Sequence, residues 1–167
     1  MTAAMLAGVA AVLGPNLWWL VPGAAVLAVI AFPMPRRGPN SSARDVWRGF
    51  KYAPRQVVLS RAGGRCEGAA FIAWGRCSSP AVQVDHVFPW SRGGPTVVSN
   101  GQALCAGHNR SKGAMTPPWW YVLGLERRRR TYFPESADVR VFAVMTGEES
   151  AARATAAASR SKARTRR

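Results

Sequence analysis

The sequence predicts a small α+β module, two short strands followed by a loop and a helix, set between an apolar N-terminal segment and a basic tail. Three observations predict it. All three cysteines (Cys66, Cys77, Cys105) and both histidines (His86, His108) of the 167-residue chain fall between residues 66 and 108. Charge is lopsided: 23 Lys and Arg against 8 Asp and Glu give a formal charge of +15. Such an excess points to an acidic partner, nucleic acid or anionic lipid. Residues 1–35, finally, carry no charged side chain at all.

An odd number of cysteines does not close a disulfide framework. With His108 they make four soft or borderline ligands, the number a tetrahedral structural zinc needs. Cys105 and His108 stand two residues apart, with Gly107 between them to permit a tight turn. Cys66 and Cys77 are separated by residues 67–76, which would loop out as an insertion carrying Phe71-Ile72-Ala73-Trp74. Buried apolar cysteines beside a surface histidine are the plainer alternative; the ligand parity and the Cys-x-x-His pair favour zinc.

Asp85 and His86 are adjacent, which neither a lone zinc ligand nor a core histidine explains. Strand neighbours point to opposite faces. A bend there would aim a hard carboxylate at a metal and an imidazole at a substrate. Gly93-Gly94-Pro95 marks a turn, after which the chain returns through Asn100 to the Cys-x-x-His pair.

The run Asp85-His86-Val87-Phe88-Pro89-Trp90-Ser91-Arg92-Gly93-Gly94, then Asn100, then Leu104-Cys105-x-x-His108-Asn109-x-x-Lys112 resembles the HNH endonucleases. Their pattern is roughly Asp-His-Ile-x-Pro-x-Ser-x-Gly-Gly, then Asn, then Leu-Cys-x-x-Cys-(His or Asn)-x-x-Lys. The resemblance spans about residues 57–113. It implies a ββα-metal (His-Me finger) module stapled by zinc on Cys66, Cys77, Cys105 and His108, acting as a DNA endonuclease. By position it implies that His86 is the general base, that Asp85 and Asn109 hold one divalent ion, and that Asn100 holds the loop carrying His86. The sequence departs from the pattern in having His108 where Cys is commoner, Asn109 in place of His, and a split first cysteine pair.

The chemistry suits those roles. Cutting a phosphodiester needs an activated water and a charge sink at the phosphate. An imidazole can take a proton near neutral pH, and Mg²⁺ or a similar carboxylate-bound ion supplies the sink. Arg92, Arg110 and Lys112 are candidates for the phosphate backbone. The residues also admit a membrane-attached, zinc-stapled module that binds nucleic acid without cutting, although a pure binder has no use for Asp85 beside His86.

Around the module the chain divides as follows. Residues 1–35 read as a hydrophobic membrane segment: Leu17 to Met34 approaches the roughly 20 residues that span a bilayer as a transmembrane helix, with Trp18 and Trp19 suited to an interface. A cleaved signal peptide is not expected, since a positive n-region is missing. Arg36 and Arg37 follow, which puts the nuclease side in the cytoplasm, where reduced cysteines persist; without the segment the protein would be soluble there. Residues 36–53 read as linker and a short helix over Arg44–Tyr52. Residues 54–116 are the module, with a helix opened by Pro54 and ended by Gly63-Gly64. Residues 117–150 are an aromatic and basic extension, open between an interfacial anchor, a core helix and a DNA-gripping arginine run, with a strand over Val139–Val144. Residues 151–167, basic and without acid or aromatic residues, read as a disordered tail that raises nucleic-acid affinity.

Overall fold

The computed structural model describes residues 20–31, 38–39, 43–71 and 74–165. The chain divides into two units, Met1–Met34 and Pro35–Arg167. In the first, α1 (Leu20–Ala31) is a 12-residue apolar helix. At 1.5 Å per residue it is about 18 Å long, short of the roughly 30 Å hydrocarbon core. Among the described residues no helix is long and apolar enough to cross a membrane, so the transmembrane expectation is not met. Trp18, Trp19 and the remaining ends of the expected span lie outside the described residues.

In the second unit the expected helix over Arg44–Tyr52 does not form. Asp45 takes the Trp47 amide on its own carboxylate at 3.0 Å, a local bond that competes with helical pairing. The helix starts instead as α2 (Tyr52–Arg61), with Pro54 in its first turn, where a missing N–H costs nothing. It stops where Gly63 and Gly64 take positive φ. Val58 is its buried residue; Val57 faces out.

The module proper is a two-stranded antiparallel sheet of β1 (Gln83–His86) and β2 (Gly101–Leu104), followed by α3 (Ala106–Lys112). Asp85 pairs with Gln102 and His86 with Gly101. One apolar cluster, Phe50, Val58, Ala62 and Ala103, joins α2 to the sheet. A second joins Val87 and Phe88, just after β1, to Val122 and Leu125 of α4 (Trp119–Arg129) and to Val141 and Ala143. Leu125 and Val141 are fully buried, each worth about 1.5–3 kcal/mol.

The aromatic and arginine-rich part of the extension, Trp119–Arg129, is therefore a helix packed on the core. Arg129, third in the four-arginine run, is 2% exposed and pairs with fully buried Glu67 at 2.8 Å. Glu67 also accepts from the Ala103 amide at 2.7 Å and the Tyr132 hydroxyl at 2.9 Å. Residues 139–144 alternate buried and exposed as a strand would, but they form no ladder. The Val141 amide bonds the Glu126 carboxylate instead, and Ser99 bonds the Phe142 carbonyl.

The tail is helical where disorder is expected: α5 covers Gly147–Thr165. Thr146 and Glu149 cap it reciprocally, the Thr146 amide donating to Glu149 and the Glu149 amide to Thr146 Oγ1, the two bonds of a capping box. Arg153 anchors it, buried against Asp45 and Thr96.

Candidate active site and metal cluster

Two arginines bring the split cysteine pair together. Arg65 donates to the carbonyls of Cys77 and Arg76, and Arg76 donates back to those of Cys66, Arg65 and Ala62. Backbone bonds from Cys66 to Ser79 (3.0 Å) and from Cys77 to Gly68 (2.9 Å) close the base of the insertion. Cys66 and Cys77 thus lie close together at the base of the insertion.

Cys105 caps α3, its sulfur accepting the His108 amide at 3.4 Å. The first turn of a helix thus brings His108 back over Cys105, and Gly107 has no special φ to supply. Cys66, Cys77, Cys105 and His108 present ligand atoms that all lie within 4.8 Å of one another. His108 Nδ1 is 3.2 Å from the Cys105 sulfur and 3.6 Å from that of Cys66. Bonds of about 2.3 Å to sulfur and 2.0–2.1 Å to nitrogen put tetrahedral ligands roughly 3.5–3.8 Å apart, so the four can hold one metal ion.

His108 Nε2 lies 3.1 Å from the Ala69 carbonyl. A carbonyl has no proton to give, so Nε2 donates and Nδ1 keeps its lone pair for the metal, the arrangement that orients a metal-bound histidine. Gly68 makes room for the ring: a Cβ there would lie 2.5 Å from two of its carbons.

The second group of residues sits at the end of β1. His86 is 4% exposed, its ring against Phe50 with centroids 4.8 Å apart. Asp85 is half-buried, and its Oδ1 lies 3.8 Å from His86 Nδ1, beyond hydrogen-bond range. Lys112 of α3 donates to Asp85 Oδ2 at 2.8 Å. Burial opposes the Asp85 charge, yet His86 and the bonded Lys112 cation outweigh it and hold the carboxyl at about 2. Asn109 stands one turn before Lys112 on α3. Residues three apart share a helix face, so Asn109 lies on the face that Lys112 turns toward β1. An anionic and a neutral oxygen donor are hard ligands, suited to a Mg²⁺-type ion.

Asn100 is fully buried and ties the loop that follows His86. Its Oδ1 accepts the Phe88 amide at 2.9 Å, and its Nδ2 donates to the carbonyls of Phe88 (3.1 Å) and Pro95 (2.9 Å). Gly94 is required there, since a Cβ would fall 1.8 Å from the Phe88 carbonyl oxygen. Arg92 and Arg110 are exposed. Lys112, read from the sequence as a phosphate contact, has its ammonium on Asp85.

Sequence reasoning missed Thr96, whose Oγ1 lies 2.9 Å from His86 Nε2. It missed Asp45 and Arg153 as well, which hold the Thr96 backbone from opposite ends of the unit. No motif marks them; only the fold brings positions 45, 96 and 153 together.

Residues 74–114 match the HNH endonuclease family model. No curated protein and no solved structure matches the chain. The matched stretch holds Cys77, Asp85, His86, Asn100, Cys105, His108, Asn109 and Lys112, while Cys66, Asp45 and Arg153 lie outside it. The match and the Cys₃His cluster both fit the HNH endonuclease family.

Proposed function

We propose that the chain is a metal-dependent endonuclease that hydrolyses DNA phosphodiester bonds. The observation that carries this reading is the Asp85–His86 pair at the end of β1, with His86 Nδ1 beside, but not bonded to, a carboxylate paired with Lys112. A zinc-stapled binding module has no need of such a pair.

In this reading His86 takes a proton at Nδ1 from the attacking water. Asp85 and Asn109 hold a divalent ion such as Mg²⁺, which supplies a charge sink at the scissile phosphate. Asn100 fixes the loop that follows the base. Cys66, Cys77, Cys105 and His108 hold zinc, for which three thiolates and an imidazole are a fitting set, and so tie α3 to the cysteine loop. Arg92 and Arg110 meet the phosphate backbone and position the strand. The charge of +15 supports a polyanionic partner.

The test is incubation of the full chain with supercoiled plasmid in Mg²⁺, Mn²⁺ or EDTA. Nicking or linearisation that needs the added ion supports the reading. DNA retention without cutting in any metal overturns it in favour of a binding module.

A further inference from the structure

We propose that Thr96 is a positioning residue for His86, fixing the ring with its proton on Nε2 and its lone pair on Nδ1, and that Asp45 and Arg153 act by holding Thr96 in place. The proposal rests on the reading of His86 as the base.

Thr96 Oγ1 has two close partners, His86 Nε2 at 2.9 Å and the Trp47 carbonyl oxygen. A hydroxyl carries one proton, and a carbonyl carries none. The contact with Trp47 must therefore use the Thr96 proton. Thr96 then faces His86 with a lone pair, so Nε2 supplies the proton of that bond. In a neutral imidazole the other nitrogen is left as the acceptor. That nitrogen, Nδ1, faces Asp85 at 3.8 Å, the side on which the proposed base must work. Without the hydroxyl, Nε2 loses its acceptor, and the ring is free to turn its proton toward Asp85. Nδ1 would then be a donor, useless as a base.

Thr96 is itself held from two directions. Asp45 accepts the Trp47 amide on Oδ1 at 3.0 Å and the Thr96 amide on Oδ2 at 2.9 Å. One carboxylate thereby sets both Thr96 and the residue that takes its hydroxyl proton. Arg153 of α5 donates to the Thr96 carbonyl at 2.8 Å, lies 3.4 Å from the Asp45 carboxylate, and stacks on the Trp47 ring at 3.8 Å. The basic C-terminal helix is thus coupled to the base through buried Arg153, outside the stretch that matches the nuclease family.

The chain has only two histidines, so nitrogen-15 NMR of the tag-free, zinc-loaded protein, labelled on histidine, resolves both rings. At mildly alkaline pH His86 is expected to show a protonated Nε2 and an unprotonated Nδ1. Thr96→Val is expected to reverse or average that pattern. It should also lower the plasmid-cleavage kcat roughly 10- to 100-fold, the scale on which supporting residues act, with KM and zinc content kept. Thr96→Ser, which retains the hydroxyl, should recover most of the rate; Arg153→Ala should shift the ring in the same direction as Thr96→Val. A wild-type His86 protonated on Nδ1 overturns the proposal without any variant. So does a Thr96→Val protein that keeps both ring pattern and rate, or a Thr96→Ser protein no better than Thr96→Val. A wild type with the expected ring pattern that cuts nothing defeats the nuclease reading and leaves this assignment standing.

Discussion

The Lys112 ammonium lies 2.8 Å from Asp85 Oδ2, on the carboxylate that the proposed divalent ion would use. With His86 the cation holds the Asp85 carboxyl below its ordinary range, and it also competes for the carboxylate.

Lys112→Met should therefore lower the Mg²⁺ concentration for half-maximal cleavage by up to about fivefold, since a partly exposed ion pair is worth about 0.2–1 kcal/mol. A metal titration of cleavage rate checks this. Half-saturation that is unchanged or raised would show that Lys112 does not compete for the ion.

Metal binding at the Cys₃His cluster should release protons. Burial, above all, pushes the Cys66 thiol up to about 11. Near neutral pH the metal-free site therefore keeps that proton, and the metal must expel it. Cys105 is held below the ordinary thiol range by the His108 amide, and Cys77 by Ser79. The sign follows: affinity rises with pH, and Cys66 alone contributes about tenfold per unit between roughly pH 6 and 8. Zinc calorimetry in buffers of different ionisation heat counts the protons. Release of none would contradict the cluster's assignment.

Arg129→Met should destabilise the fold by about 3–5 kcal/mol, because it leaves the Glu67 charge buried and unpaired. Denaturant unfolding at fixed zinc concentration measures it. A double variant that adds Glu67→Gln should recover part of the loss, since the stranded charge is then gone. A cost below about 1 kcal/mol, the range of surface pairs, would mean the pair does not hold α4.

The order strand, turn, strand, helix was legible from Asp85 to Lys112, because glycine turns and ligand spacing are local signals. The gathering of Cys66, Cys77, Cys105 and His108 was legible too, although their closure depends on Arg65 and Arg76, whose carbonyl contacts no spacing announces. The tail misled because its composition resembles disorder. Its helix rests on a capping box at Thr146 and Glu149 and on buried Arg153; the box was readable and the anchor was not. The arginine run at 127–130 was ambiguous for the same reason: a buried Arg129 needs Glu67, sixty-two positions earlier in the chain. The Thr96 clamp was out of reach, since three separated segments build it.

The most direct test of the account is cleavage of supercoiled plasmid by His86→Ala beside the wild type, with Mg²⁺ and with EDTA. The account predicts metal-dependent cutting by the wild type and a loss of roughly 10²- to 10⁴-fold in the variant, the span of general-base catalysis. Zinc content and DNA binding should stay unchanged. Cutting by His86→Ala at the wild-type rate, or no cutting by the wild type in any divalent ion, would contradict it.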